Sequence, residues 1–235
     1  MKIALLGYGK MGQIIEQTAL NRGHEIVLRK TSTDSFDLLN QADVAIDFSV
    51  PTAAVNNIKA ALDLGIPIIS GTTGWLEQYD AVCQYCIDKQ GAFLYGSNFS
   101  VGVNIFFELN EYLAKMMSHL ESYQVSMEEI HHTQKLDAPS GTAITLAQDI
   151  IKNTAYTQWT LDQKKDASDL PIIAKRIDQV PGTHTVTYDS NIDAIEIKHT
   201  AHNRNGFALG AVIAAEWIFH KKGIFSMKDV LNLKK

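Results

Sequence analysis

Short apolar runs alternate with longer amphipathic segments along the first hundred residues. The apolar runs predict strands at Lys2–Leu6, Glu25–Arg29, Val44–Phe48, Ile66–Ile69 and Ala92–Tyr95. Apolar residues at helical spacing predict helices near Met11–Arg22, Thr52–Leu64 and Leu76–Lys89, each followed by a glycine as a stop signal: Gly23, Gly65 and Gly91. This alternation predicts an α/β fold in which helices cover a parallel sheet.

A different pattern begins near Val103 and predicts a second folding unit. Helical spacing from Val103 to Met117, and again over Thr142–Lys152, precedes three β-rich runs: Ile172–Ile177, His184–Tyr188 and Ala194–Thr200. Consecutive β-rich runs without intervening helices favour a mixed or antiparallel sheet. The polar stretch Thr154–Asp169 lacks periodicity and is interpreted as a surface excursion, while the apolar helix Phe207–Phe219 is compatible with either unit.

Composition narrows the range of functions. The 21 basic and 26 acidic side chains give a formal charge of −5, which offers no general attraction to nucleic acid. No apolar stretch is long enough to span a membrane, and Met1 leads into the first strand without a signal-peptide cleavage pattern, so we expect a cytoplasmic protein. Cys83 and Cys86 form a lone C-x-x-C in a predicted helix, and we interpret them as reduced thiols because no second pair completes a zinc site.

A glycine-rich turn directly after the first strand is the first candidate binding site. Its residues form a G-x-G-x-x-G motif between a strand and a helix: Gly7, Tyr8, Gly9, Lys10, Met11 and Gly12. Gly7 permits the tight turn, Gly9 lets the backbone approach a pyrophosphate, and Gly12 allows close packing of the helix. Because the free N–H groups of the helix start face the anion, the motif predicts a dinucleotide site.

The end of the second strand bears on which dinucleotide binds. An NAD site usually carries an acidic residue there, which accepts hydrogen bonds from the adenosine ribose, whereas this chain has Arg29 and Lys30. Two cations pair well with a 2′-phosphate, so NADPH is the expected cofactor. The neighbouring hydroxyls that can donate to such a phosphate are those of Thr31, Ser32 and Thr33. A solvated basic turn is the alternative, and Asp34, about 20 residues beyond the motif, leaves NADH open.

A second glycine-containing loop follows the fourth strand. The segment Ser70–Gly74 lies at the carboxyl end of that strand, where ligands bind in open α/β sheets. Since its glycines allow backbone contact, we expect Gly71, Thr72 and Thr73 beside the nicotinamide half of the cofactor. An ordinary strand-to-helix turn capped by threonine is the alternative.

The segment Glu129–Ala143 begins with titratable side chains on a strand and a loop. Adjacent strand residues point to opposite faces, so His131 and His132 are poorly placed to share a metal ion. A histidine can donate a proton as a general acid near neutral pH, and Lys135 supplies a fixed cation nearby.

The same segment ends in a predicted helix start. Pro139 and Ser140 indicate the helix entry, so we expect the N–H groups of Gly141 and Thr142 to point outward at the positive end of the helix dipole. Together with the histidines and the lysine, this helix start predicts a receptor for a small acid with more than one carboxylate. A capped helix beside an exposed polar loop is the alternative.

Six segments together carry a family resemblance: Gly7–Gly12, Asp47–Ser49, Gly71–Gly74, Ser97–Asn104, Glu129–Ala143 and His199–Arg204. Through them the chain closely resembles the dihydrodipicolinate reductases, also called 4-hydroxy-tetrahydrodipicolinate reductases, of the diaminopimelate route to lysine. The block His-His-x-x-Lys-x-Asp-Ala-Pro-Ser-Gly-Thr-Ala is highly specific to that family. The resemblance implies reduction of 4-hydroxy-tetrahydrodipicolinate, via dihydrodipicolinate, to tetrahydrodipicolinate. Our hypothesis for the mechanism is that hydride is delivered to C4 of the ring while His131 donates a proton to the resulting enamine.

The resemblance also implies an architecture and roles for residues. It implies a Rossmann domain from residues 1–102 and 207–235, and an intervening α+β domain, 103–206, that binds substrate, builds a homotetramer through its sheet and closes about a hinge. Residues implied to join the cofactor site are Ser97, Asn98 and Phe99. His131 is implied as the general acid and Lys135 as its assistant. The residues implied to hold the substrate carboxylates are His132, Gly141 and Thr142.

Two departures from the family pattern and two rival functions accompany this expectation. Many members carry an acidic residue followed by arginine where this chain has Arg29-Lys30, and Asp178 in Arg176-Ile177-Asp178 replaces a family glycine, which predicts an altered turn. One rival is another nicotinamide-dependent imine or amino-acid dehydrogenase, which the double-histidine block disfavours. The other is a non-catalytic dinucleotide sensor, which needs no proton donor.

Overall fold

The computed structural model describes residues 1–31 and 34–233, and the chain divides into two compact units. The first unit combines Met1–Val101 with Asn205–Lys235, and the second is Gly102–Arg204. The strands are β1 (Lys2–Leu6), β2 (Glu25–Lys30), β3 (Val44–Asp47), β4 (Ile68–Ser70), β5 (Ala92–Tyr95), β6 (Gln124–His131), β7 (Gln158–Leu161), β8 (Asp169–Arg176), β9 (Gly182–Asp189), β10 (Ala194–Ala201) and β11 (Gly223–Phe225). The helices are α1 (Lys10–Asn21), α2 (Pro51–Asp63), α3 (Tyr79–Asp88), α4 (Val101–Met117), α5 (Gly141–Asn153), α6 (Asn205–Ile218) and α7 (Met227–Val230).

The first unit is built on a parallel sheet with the strand order β11-β5-β4-β3-β1-β2. Successive residues of β1 enter two different cores: Ile3 and Leu5 pack with α1 and α6, whereas Ala4 and Leu6 pack with α2 and α3. Burial on both faces explains why these strands appear in the sequence as continuous apolar runs. The α/β fold predicted from the alternating pattern is confirmed.

Helix α6, which the sequence left compatible with either unit, packs in the first. Its backbone approaches the chain so closely at Gly210 that an added Cβ would lie 1.7 Å from the carbonyl oxygen of Phe99. Farther along the helix, the carboxylate of Glu216 accepts two hydrogen bonds of 2.8 Å from Arg22 and lies 2.7 Å from Nε2 of His24. The contacts of Glu216 with Arg22 and His24 attach α6 to the turn between α1 and β2.

The second unit contains a mixed sheet with the order β10-β9-β6-β8-β7. Strands β6 and β7 both run parallel to β8, whereas β9 pairs antiparallel with β6 and β10. One face of this sheet is covered by α4 and α5, whose apolar side chains share a core with Val125, Ile172 and Tyr188. The mixed sheet predicted from the consecutive β-rich runs is confirmed.

The interpretation of Thr154–Asp169 as a surface excursion was wrong, because the stretch contains strand β7. This strand pairs with Asp169–Ile172 at one edge of the sheet. An edge strand with half-exposed side chains needs no apolar alternation, so its sequence carries no strand signal. The buried carboxylate of Asp169 holds the connection by accepting hydrogen bonds from Gln158 and from the backbone N–H groups of Lys165 and Asp166.

Both cysteines lie in α3 as free thiols. Burial raises the pKa of Cys83 and raises that of Cys86 to about 11, which keeps them protonated near neutral pH. Across the described residues, no helix has the length and apolar character needed to cross a membrane.

Candidate functional site

The glycine-rich turn between β1 and α1 lines a cavity of about 650 Å³ in the first unit. Gly7 has φ +108°, and an added Cβ would lie 2.1 Å from the carbonyl oxygen of Phe48, while at Gly12 it would lie 2.3 Å from that of Gly7. At Gly9 an added Cβ would meet no described atom within 4 Å. The fold therefore requires glycine at positions 7 and 12, whereas at position 9 only a ligand that approaches from the cavity requires it.

The remaining residues of this turn have distinct surroundings. Tyr8 lines the cavity, and its hydroxyl donates to the carboxylate of Glu16. Lys10 is exposed at the first position of α1, and Met11 packs partly buried against the core. Gly9 is the N-cap and has no side chain to accept from the first N–H groups of α1, so these groups are available to an anion.

Of the two basic residues at the end of β2, Lys30 is the one that lines the cavity. Its side chain is 9% exposed, its Nζ donates to the carbonyl oxygen of Thr31 at 3.0 Å, and it lies 4.8 Å from the ring centre of Phe36. A cation held in this position favours an anionic group in the cavity.

Arg29 is oriented differently, because its guanidinium pairs with the carboxylate of Glu16. This hydrogen bond raises the pKa of Arg29 and lowers that of Glu16. The predicted hydroxyl donors Ser32 and Thr33 lie outside the described residues. Asp34, the alternative ribose ligand, accepts hydrogen bonds of 2.7 and 2.6 Å from the N–H and the hydroxyl of Thr31.

A fully buried carboxylate, Asp47, organises the loops beside the cavity. Its four donors are Ser49 Oγ at 2.6 Å, Asn57 Nδ2 at 2.9 Å, Ser70 Oγ at 2.7 Å and Thr72 Oγ1 at 2.8 Å. Since Thr72 Oγ1 accepts from the N–H of Ser49, its own proton is free to point at Asp47. Burial raises the pKa of Asp47, while each of these hydrogen bonds lowers it. Asp47 had no role assigned from the sequence, although a charged residue at the end of an apolar strand was a usable signal.

The predicted nicotinamide loop lies next to the cavity rather than in its lining. At Gly71 an added Cβ would lie 2.3 Å from the ring of Phe48, which itself lines the cavity. Thr72 is buried against Asp47, and Thr73 is exposed. Residues that line the cavity and that sequence reasoning missed are Ser49, Val50, Thr52, Ala53, Asn56 and Asn57. Their signal was their position at the carboxyl end of β3 and the start of α2.

The Ser97–Phe99 segment lies next to the cavity because Phe99 packs against Phe48, whose ring lines the cavity. Phe99 is 1% exposed, and its ring centre lies 5.5 Å from that of Phe48. Ser97 is exposed, and Asn98 accepts a hydrogen bond from the N–H of Ser100 through its side-chain oxygen. Because the Phe99 side chain belongs to the core, only its backbone is available to a ligand.

In the second unit, the end of β6 places His131 in a nearly closed environment. The ring is 7% exposed, its centre lies 5.0 Å from the ring centre of His184, and its Nδ1 lies 3.7 Å from Glu129 Oε2. An added Cβ at Gly182 would lie 3.1 Å from His131 Nε2, so this glycine leaves room for the ring. Burial lowers the pKa of His131 and lowers that of His184 to about 3. Burial thus disfavours the charged form of both rings, and the nearby carboxylate of Glu129 partly offsets this effect at His131.

Glu129 is fully buried beside His131 and had no role assigned from the sequence. Its Oε2 accepts from the N–H of Ser140 at 3.0 Å, and its Oε1 accepts from Arg176 at 3.1 Å. Burial alone would raise the pKa of Glu129, but the hydrogen bonds from Ser140 and the neighbouring positive charges hold it below its usual range. Ligand atoms of Glu129, His131 and His184 lie within 4.8 Å of one another, as in metal sites, but Arg176 already supplies the balancing charge.

The loop after β6 carries Lys135, whose Nζ binds Asp137 at 2.7 and 2.8 Å. Ser140 then caps α5, accepting from the N–H of Ala143 at 3.2 Å. An added Cβ at Gly141 would meet no described atom within 4 Å, so the first turn of this helix is open in the same way as Gly9. The backbone of this helix start can approach a carboxylate closely.

His132 faces away from His131 and lines a separate cavity of about 440 Å³ in the second unit. The other charged or titratable residues in that lining are Asp178, His202 and Arg204. The left-handed residue of the nearby turn is Gln179, with φ +59°. Asp178, which replaces the family glycine, thus lines this cavity. The positive φ of this turn is found at the next residue, Gln179, and not at Asp178.

Comparisons with known proteins agree along the whole chain. Residues 1–99 match the family model described as dihydrodipicolinate reductase, N-terminus, and residues 102–231 match its C-terminus. The chain is 57% identical to the 4-hydroxy-tetrahydrodipicolinate reductase of Christiangramia forsetii, over 99% of this chain and 98% of the relative. It is 40% identical to the protein of that name from Methanosarcina mazei, over 89% of this chain and 77% of the relative.

Solved structures share the fold. Dipicolinate-bound dihydrodipicolinate reductase from Paenisporosarcina sp. TG-14 aligns with a TM-score of 0.78 at 21% identity, covering 96% of this chain and 97% of that one. An amine dehydrogenase from Mycobacterium smegmatis aligns with a TM-score of 0.64 at 10% identity, covering 97% and 95%. At these identities the likeness concerns the fold alone.

Proposed function

The chain belongs to the dihydrodipicolinate reductase family of nicotinamide-dependent oxidoreductases, and we propose that it reduces 4-hydroxy-tetrahydrodipicolinate, via dihydrodipicolinate, to tetrahydrodipicolinate. One observation supports this proposal above the others: a buried histidine, a lysine and an open helix start meet at the end of β6. These are the groups that a cyclic dicarboxylate needs when its ring gains a proton.

We assign the substrate carboxylates to the cationic and N–H groups of the second unit. The backbone at Gly141, where an added Cβ would meet no described atom within 4 Å, suits one carboxylate because the helix dipole adds to the N–H groups of the helix start. We assign the neighbouring Thr142 to the same carboxylate. Lys135 is bound to Asp137 in the structure described and can exchange that partner for a substrate carboxylate. We also assign His132 as a donor to the substrate, although its side chain lines the separate cavity of about 440 Å³. Dipicolinate, a flat aromatic dicarboxylate, is therefore a suitable inert ligand for this site.

His131 is assigned as the proton donor to the reduced ring. Burial disfavours its charged form in the absence of substrate. A bound dicarboxylate brings negative charge close to the ring and favours the imidazolium, so substrate binding and protonation of His131 support each other. Glu129, at 3.7 Å from Nδ1, stabilises the same charged form.

The first unit is assigned as the dinucleotide-binding domain. The opening at Gly9, the uncapped start of α1 and the cation Lys30 fit a pyrophosphate and a further anionic group in one cavity. When bound, NAD(P)H supplies the hydride. We propose NADPH as the preferred form, because Lys30 lines the cavity and can pair with a 2′-phosphate, with Arg29 available if it leaves Glu16.

We propose a homotetramer assembled through the sheet of the second unit. Within the part of the chain that the structure describes, β10 pairs only with β9 and leaves its other edge open. Ile195 on that strand is 40% exposed, and Ile192 just before it is 91% exposed. Light scattering in solution tests this assignment, and a monomer at micromolar concentration contradicts it. We place the enzyme in the cytoplasm, where its two free thiols remain reduced.

Oxidation of NADPH and NADH, followed in parallel, tests the reaction. The substrate is generated in place by condensing pyruvate with aspartate semialdehyde. We expect oxidation that requires both precursors and their condensing enzyme, with a higher kcat/KM for NADPH. Folded protein that binds dinucleotide and oxidises neither cofactor would overturn the proposal.

A further inference from the structure

Two residues without an assigned role, Glu129 and Arg176, contact the loop that carries Lys135, the residue before α5 and the ring of His131. We propose that this buried pair positions the site: it holds the loop that carries Lys135, the start of α5 and the ring of His131 in register with one another. The inference rests on the proposed function and extends it to residues that do not touch the substrate.

Arg176 holds the loop through its backbone carbonyl groups. Its Nε donates to the carbonyl oxygen of Lys135 at 3.3 Å, and its Nη2 donates to that of Asp137 at 2.6 Å. The same Nη2 donates to Glu129 Oε1 at 3.1 Å. A planar guanidinium can reach three acceptors in fixed directions, whereas a lysine ammonium at the same place cannot reproduce that fork.

Glu129 connects this guanidinium to the other two parts of the site. One carboxylate oxygen accepts from the N–H of Ser140, immediately before the open helix start, and lies 3.7 Å from His131 Nδ1. The side chain is fully buried, so no water competes for these contacts. Loss of the carboxylate would free the helix start and remove the negative charge facing His131.

The charged and titratable groups around His131 come from four parts of the second unit. They are Glu129 on β6, His184 on β9, Arg176 on β8, and Lys135 and Asp137 in the loop. After burial, the charge of Glu129 is the largest influence, and it raises the pKa of His131. A general acid must be protonated, so a lower pKa moves the loss of kcat with rising pH to lower pH.

Two variants distinguish a role of this pair in positioning the substrate site from a role only in the stability of the fold. Arg176→Lys keeps the charge but loses the fork, and we expect KM for substrate and Kd for dipicolinate to rise at least tenfold with an unchanged pH profile. Glu129→Gln keeps the volume and an acceptor oxygen, and we expect the falling limb of the kcat–pH profile to move to lower pH. Matched controls are Glu128→Gln and Lys175→Met, which remove the neighbouring exposed ion pair of the same two strands.

Dinucleotide Kd and circular dichroism, measured on every variant, report folding. Wild-type dipicolinate affinity and pH profile in both variants would overturn the inference, as would loss of the folded second unit in both. The same changes in the two control variants would also overturn the inference, because any altered charge on β6 or β8 would then suffice to produce them. Failure of the wild-type protein to bind dipicolinate or turn over substrate would instead overturn the proposed function.

Discussion

The substitution Gly9→Ala tests whether position 9 requires glycine for folding or only for binding a dinucleotide. The residue has φ −85° and ψ −158°, which alanine also adopts, and an added Cβ would meet no described atom within 4 Å. Such a substitution leaves stability unchanged or raises it by about 0.4–1 kcal/mol, because alanine loses less chain entropy on folding. The new methyl group would occupy the space through which we expect a pyrophosphate to approach, so binding should weaken while folding does not.

The expected magnitude follows from mass action. A ligand at 100 times its Kd stabilises a protein by about 2.7 kcal/mol, and a tenfold loss of affinity reduces this to about 1.4 kcal/mol. At about 2–4 °C per kcal/mol for a chain of this size, NADPH should raise Tm by roughly 5–11 °C in the wild type and by about half as much in Gly9→Ala. Thermal unfolding of each protein, without and with NADPH, measures the stability of the free protein and the rise in Tm caused by the ligand.

Gly141→Ala is the reciprocal control, because its Cβ also points into open space but lies in the second unit. It should weaken dipicolinate binding and leave the NADPH response intact. A Gly9→Ala variant that keeps the full NADPH-induced rise in Tm, or that is unfolded in the absence of ligand, would contradict a ligand-specific role for Gly9.

Four further predictions concern single side chains. His131→Ala should lower kcat by about 10²–10⁴-fold in steady-state assays with a smaller change in KM, and a wild-type kcat would contradict its role as acid. Asp47→Ala leaves four donors without their acceptor, three of them on buried residues, and should destabilise the first unit by at least about 3 kcal/mol in urea unfolding; a loss below about 1 kcal/mol would contradict it. Lys30→Ala should raise KM for NADPH by about tenfold or more and leave that for NADH nearly unchanged, whereas equal effects would remove the 2′-phosphate assignment. The hydrogen bond from Arg22 lowers the pKa of Glu216, so its stabilising effect is present above the ordinary value of 4.5 and disappears as the pH falls through the lowered value. Glu216→Gln should therefore have a lower Tm than wild type at pH 7, and the two should converge in acid.

The two buried carboxylates have parallel roles in the architecture. Asp47 closes β3 in the first unit and Glu129 lies near the end of β6 in the second, and each is fully buried and collects donors from several loops. A buried carboxylate is costly unless its oxygens are satisfied, so such a group holds its donors in place strongly. Both residues escaped functional assignment from the sequence, because a single acidic residue beside an apolar run does not reveal how many donors surround it.

Strands and helices of the first unit were predictable because burial on both faces demands continuous apolar runs between amphipathic helices. Strand β7 was not predictable from the sequence. This edge strand is held by its pairing with β8 and by the buried carboxylate of Asp169, and neither contact leaves a pattern in the residues of β7 itself. The family blocks located Gly7–Gly12 and Glu129–Ala143, since these residues are contiguous and each has a recognisable local reason for its identity.

The sequence by itself determined the α/β fold, the glycine-rich turn and the identity of the proton donor candidates, because local spacing and residue chemistry encode them. Only the tertiary structure decided that Lys30 rather than Arg29 lines the first cavity, and that Gly9, unlike Gly7 and Gly12, has no structural need to be glycine. It likewise decided that Arg176, 41 residues after Lys135, holds the loop on which that lysine lies. The physical reason is the same in each case: partners far apart in the chain determine where a side chain points, and no local pattern contains them.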